Sequence, residues 1–173
     1  QEFILEPFGA DVFGLPVSVT TSFNITFGAG MVLAMVASGG LGILHGHFPS
    51  RRILVWANLI GAFAFIVLAV SPLLETSLVP ILAIFVLGSA KGLYNTGLAH
   101  QFTTLAGPDT AGLVMGAWGA VGGFAMALGG LAGGVLVDAT EALVGAVGLS
   151  YSSAFAVEAF LLVIGAVLLR SRS

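Results

Sequence analysis

Cysteine is absent from the 173 residues, which removes disulfides, thiolate zinc sites and thiol nucleophiles together. Charge is almost as scarce. Asp, Glu, Lys and Arg make up 8% of the chain, against roughly a quarter in a soluble domain, and a net charge of −3 is too small to attract a polyanion, so nucleic acid is not an expected partner. No H-E-x-x-H, E-x-x-H, Walker or nucleophile-elbow pattern occurs, leaving metal hydrolysis, nucleotide hydrolysis and serine chemistry without a carrier. The chain therefore reads as a non-enzyme. It also starts without a basic region ahead of an apolar run, so no signal peptide is expected, and Gln1 reads as interior to a longer chain.

What remains is apolar. Hydrophobic residues make up 58% of the chain, with a mean hydropathy of +1.11, and the medium such a composition suits is a lipid bilayer. The 25 glycines are about double the usual share, which in a bilayer fits small-residue helix contacts. Residues 110–137 carry no charge, and at ~1.5 Å per residue they more than cross a hydrocarbon core of roughly 30 Å. Glycines recur there at four-residue spacing: Gly112 with Gly116, Gly119 with Gly123, Gly129 with Gly133, Gly130 with Gly134. The spacing predicts smooth faces against which neighbouring helices pack closely, and makes this segment the expected centre of the bundle.

Four further spans are expected at about 20–46, 53–71, 78–101 and 149–169, after an N-terminal helix stub at 1–9 that runs into a loop at Gly9, Gly14 and Pro16. A polar turn around Asp138 and Glu141 should separate the last two. The expected fold is all-α, one polytopic membrane helix bundle with five complete spans. Arg51, Arg52, Arg170 and Arg172 fall on one side of it, with Glu2, Glu6, Asp11, Glu75, Asp138 and Glu141 at or near the other. Short cytoplasmic loops carry the excess of Lys and Arg, so the basic side and the C-terminus should be cytoplasmic.

Polar residues inside the spans are the candidates for chemistry. Lys91 lies midway along its span, where an ionised ammonium costs at least ~2.5 kcal/mol and must face protein, water or a counter-charge. Glu158, at similar depth in the last span, is one candidate counter-charge; separate structural roles and a ligand or proton-coupling role are the alternatives. Tyr94, Asn95 and Gly88 adjoin Lys91 on the helix surface, and Asn95 is expected to hydrogen-bond to another helix. His45, His47 and His100 read as solvated interfacial histidines, with His100 the best candidate of the three for ligating a bound group. Trp56 and Trp118 read as interfacial anchors, and Phe63, Phe65, Phe85, Phe124, Phe155 and Phe160 as core or lipid contacts.

A set of half a dozen spans, in which a short basic loop follows the second span, resembles one half of a major facilitator transporter. Gln1-Glu2-Phe3-Ile4-Leu5-Glu6-Pro7-Phe8-Gly9 followed by Val12-Phe13-Gly14, then Lys91-Gly92-Leu93-Tyr94-Asn95, Met115-Gly116-Ala117-Trp118-Gly119 and Gly133-Gly134-Val135-Leu136-Val137-Asp138, resemble the carboxyl-terminal half of the PucC family. That resemblance implies light-harvesting complex assembly in a bacterial inner (photosynthetic) membrane. It also implies handling of bacteriochlorophyll or scaffolding of antenna polypeptides, and a complementary six-helix half as a partner. The run from Gly42 to Arg52 keeps the arginine pair of the major facilitator loop but has no Asp, which argues against ordinary gating. Transport sites in that fold lie between two halves. Secondary transport of a small solute, with Lys91 and Glu158 in the coupling path, is the alternative, and a purely structural fragment the third.

Overall fold

The computed structural model describes residues 2–45, 49–74, 76–107 and 109–171. Gln1, His47, Glu75 and Arg172, and the side chains of Glu2 and His45, lie outside the described residues. The elements are α1 (Glu2–Phe13), α2 (Val17–His45), α3 (Ser50–Val70), α4 (Leu78–Leu105), α5 (Ala111–Val144) and α6 (Val147–Ser171), with a 3₁₀ turn at Ser71–Leu74. No strand occurs among the described residues. The helices α2 to α6 are each long and apolar enough to cross a membrane, so the chain is a polytopic membrane helix bundle.

Three helix ends differ from the sequence expectation. α1 does not stop at Gly9: it continues through Phe13, and Gly14, at φ 60°, ends it in a left-handed conformation that costs glycine nothing. Gly9 instead admits α2, since a methyl group there would lie 2.6 Å from the Phe23 ring. Pro16 then opens α2, its carbonyl accepting from the Val19 and Thr20 amides at 2.8 and 3.1 Å. The expected polar turn at Asp138 and Glu141 is helix. Ala139, Glu141, Ala142 and Leu143 are strong helix formers, so α5 runs on to Gly145, which caps it at φ 67° with its amide donating to the Glu141 carbonyl at 2.7 Å. α4 extends to Leu105, with the Thr103 and Thr104 hydroxyls returning to the His100 carbonyl, each at 3.0 Å.

The closest helix contact is not on α5. It joins α2 to α4, where Gly30, Gly88 and Gly92 bring the two backbones together. A methyl group on Gly88 would stand 2.0 Å from the Phe27 carbonyl oxygen, one on Gly92 2.3 Å from that of Met31, and one on Gly30 2.3 Å from that of Phe85. Only glycine allows this approach, which gives the dispersion contact that drives helix association in lipid. α3 packs against both α4 and α6, and α1 fits against α2, α5 and α6.

The glycine faces of α5 take almost no part in the contacts within this chain. Within this chain, a methyl group on Gly112, Gly116, Gly119, Gly123, Gly129, Gly130 or Gly134 meets no neighbouring helix within 4 Å, and one on Gly133 reaches only the Ile4 side chain at 3.8 Å. Val137 is the buried residue of α5. Glycine spacing marks a surface that can be approached closely; it does not say which helices approach. In this chain the partners are α2 and α4, and the long face of α5 is open.

The core lies toward the acidic end, around α1. Phe8, Phe65 and Phe155 are wholly buried, with Phe8 edge-on to Phe155 at a centroid distance of 4.9 Å and Phe65 stacked on it at 6.0 Å. The Tyr151 hydroxyl donates to the Asp11 carboxylate at 2.7 Å, and the Ser152 hydroxyl to the Ala69 carbonyl at 2.6 Å, so α6 is tied to α1 and α3. Phe63, Phe124 and Phe160 point outward. At the opposite end the Arg51 guanidinium donates to the Leu169 carbonyl, its Nε at 2.7 Å, and so satisfies an orphan acceptor in the last turn of α6. Arg51, Arg52 and Arg170 thus gather at one end of the bundle, while Asp11, Asp138 and Glu141 lie near Tyr151 toward the other.

Candidate ligand site in the helix bundle

Within the bundle, Phe27 of α2, Asn58 and Gly61 of α3, Lys91 and Tyr94 of α4 and Leu162 of α6 bound a cavity of about 170 Å³. The α2–α4 glycine contact holds its walls, because Gly88 and Gly92 flank Lys91 on α4. Gly61 leaves the space open: a methyl group there would stand 3.0 Å from Leu162. The walls are apolar except for one ammonium, one phenol and one carboxamide. Such a lining suits a largely apolar molecule that carries a polar substituent.

Asn58 was not singled out from the sequence. It is 6% exposed, and its Nδ2 donates to the Leu54 carbonyl at 2.8 Å, which leaves the carboxamide oxygen to serve as an acceptor beside Gly165. The signal was present, since Asn58 is the lone amide in the apolar run after Arg52. Lys91 stands exposed at the cavity, thirteen residues into α4 and roughly 20 Å from either helix end. A four-carbon stem does not carry its ammonium to an interface from there.

The other candidates are distributed around this site. Asn95 Nδ2 donates across to the Met31 sulfur of α2 at 3.9 Å, a weak acceptor at long range. His100 is half-buried, nine residues beyond Lys91 and thus roughly 13 Å further along α4. Glu158 is half-buried on α6, which reaches α4 chiefly through α3 between them. The structure therefore gathers Lys91 and Tyr94 at one cavity, adds Asn58, sets Asn95 at the α2 contact and leaves His100 and Glu158 outside the lining. Gly116, Gly119, Gly123, Gly129, Gly130, Gly133 and Gly134 contribute nothing to it. Trp118 packs on Phe102 at 5.8 Å, joining the start of α5 to the end of α4.

The sequence model of the family described as "PUCC protein" matches residues 1–171. Among curated relatives, "Protein PucC" of Cereibacter sphaeroides is 33% identical over 143 residues, which cover 82% of this chain and 30% of the relative. "Protein PucC" of Rhodobacter capsulatus is 31% identical over 169 residues, covering 94% and 36%. An "Uncharacterized protein in puhA-bchM intergenic region" of Rhodobacter capsulatus is 26% identical over 138 residues, covering 80% and 28%. The chain spans about a third of the length of these relatives. No solved structure matches it. With a family match along essentially its whole length, carried by a multi-pass apolar helix bundle, the chain belongs to the PucC family.

Proposed function

We propose that this chain works without catalysis in the assembly of photosynthetic light-harvesting complexes, by presenting a polar-edged membrane surface to bacteriochlorophyll or to an antenna polypeptide. Membership of the PucC family supports the process, and the cavity at Lys91 supports the mode. At about 170 Å³ it is smaller than the ~300–1,000 Å³ of pockets that enclose a whole ligand. A tetrapyrrole therefore stays outside and only a ring carbonyl or ester enters, where Lys91 and Tyr94 supply donors. The exposed ammonium in mid-span calls for a polar group opposite it, and cargo or a partner helix is that group. The open glycine face of α5 offers a second surface for antenna helices or for a complementary six-helix half of major facilitator type.

The test is Lys91→Met in the complete protein. Whole-cell near-infrared absorption should show weakened antenna bands, with membrane abundance of the variant unchanged and solute uptake unaffected. Loss of uptake with normal antenna bands would instead favour secondary transport, with Lys91 as the titratable coupling group. Normal bands in both this variant and a deletion strain would remove the assembly reading.

The same reading places the arginine end of the bundle in the cytoplasm. A reporter fused after Ser171 should be active only when the reporter is one that works inside the cell, and a reporter inserted at Gly145 only when it is one that works outside. The reverse pattern would refute this orientation.

A further inference from the structure

At the basic end, α3 and α6 form an open concavity of about 870 Å³ that lies apart from the Lys91 cavity. Arg51, Arg52 and Arg170 all line it, with Ser50 and Trp56. Three guanidinium groups are most of the positive charge of a chain with only five Lys and Arg residues. Arg51 is held by the Leu169 carbonyl, which fixes its remaining N–H groups in place at the rim. Below the arginines, Trp56, Leu59, Phe63, Ile66 and Val70 follow one another down an exposed stripe of α3, at 63%, 38%, 62%, 51% and 44% exposure. The stripe spans the fifteen residues from Trp56 to Val70, or roughly 20 Å, which exceeds the ~15 Å of one leaflet's hydrocarbon.

We infer that this concavity is a binding site for an anionic phospholipid, with the phosphodiester on Arg51, Arg52 and Arg170, the glycerol region beside Trp56 and an acyl chain along the α3 stripe. Each part has its own reason. Planar guanidinium groups bind phosphate oxygens in pairs, and basic pockets between membrane helices hold anionic headgroups. An indole settles at the headgroup level. The apolar stripe continuous with the arginines selects a lipid over a soluble phosphate, which has nothing to lay against it. This site is independent of the assembly reading and stands whether or not that reading holds.

The experiment uses Trp56 as the probe, in protein carrying Trp118→Phe and reconstituted in phosphatidylcholine vesicles. Brominated phosphatidylglycerol should quench Trp56 well beyond its mole fraction, and brominated phosphatidylcholine only in proportion to it. Adding Arg52→Gln and then Arg170→Gln should lower the relative affinity for phosphatidylglycerol by roughly fivefold per arginine, with helix content by circular dichroism unchanged. The Arg51 cap is a bond from its own guanidinium to the Leu169 backbone carbonyl, so it does not use either substituted side chain. Equal quenching by the two lipids, or a preference that survives the double variant, would overturn the assignment. Inorganic phosphate is added against chloride of equal ionic strength. Relief of the phosphatidylglycerol quenching by phosphate alone would make this a site for a soluble anion and would overturn the lipid.

Discussion

Replacing Gly88 or Gly92 by alanine is expected to destabilise the bundle sharply, while the same change at Gly123 leaves it as stable as the parent. The added methyl group at Gly88 lands 2.0 Å from the Phe27 carbonyl oxygen, and at Gly92 2.3 Å from that of Met31. Both obstacles are backbone, which has no rotamer to escape into. α2 must therefore move outward by about 1 Å, and a gap of that size forfeits a quarter to a half of each dispersion well along the contact. Overpacking of this kind costs about 1–3 kcal/mol for one methyl group, and leucine at either position should prevent assembly of the helix pair altogether. At Gly123 nothing stands within 4 Å, so the methyl group is free. Denaturation in mild detergent, followed by circular dichroism, measures the difference. A Gly88→Ala protein as stable as the parent, or a Gly123→Ala protein that is equally damaged, would contradict the α2–α4 contact described above.

The second large effect should come from Phe155→Ala. In water, part of such a loss is the transfer of apolar surface, but lipid tails are as apolar as the core and remove that part. The cavity remains. Vacating on the order of 100 Å³ at ~24 cal/mol per Å³ gives roughly 2 kcal/mol. Phe155 also meets Phe8, Phe65 and Tyr151, and aromatic pairs contribute about 0.5–1.5 kcal/mol each beyond their contact area. A total loss of roughly 4 kcal/mol follows, with α1 loosened first because Phe8 is its main anchor. Phe124→Ala is the control: that ring is 75% exposed, and its removal should change stability by less than about 0.5 kcal/mol. Equal losses in the two variants would mean that α5 is packed in detergent by contacts this structure lacks.

A comparable asymmetry separates what could be read from the sequence from what could not. Whether a segment crosses a membrane depends on its own length and transfer free energy, so the five apolar runs, the all-helical class and the shared end of Arg51, Arg52 and Arg170 were legible residue by residue. The family was legible for a similar reason, since local runs such as Lys91-Gly92-Leu93-Tyr94-Asn95 carried the resemblance. Helix ends were less so. The carboxylates Asp138 and Glu141 suggested a turn, yet good helix formers carried α5 past them to a glycine that could adopt positive φ.

Tertiary contacts decided the rest, because which helix meets which is a property of pairs. The densest glycine pattern lies on α5, and the closest approach is at Gly30, Gly88 and Gly92. A helix sequence states how near a neighbour can come, and only the packed bundle states where the neighbour is. Asn58 was an isolated amide in the sequence until α3 and α4 set it at the same cavity as Lys91 and Tyr94. Arg51 and Arg170, 119 positions apart in the sequence, became one basic concavity only when α3 and α6 packed side by side.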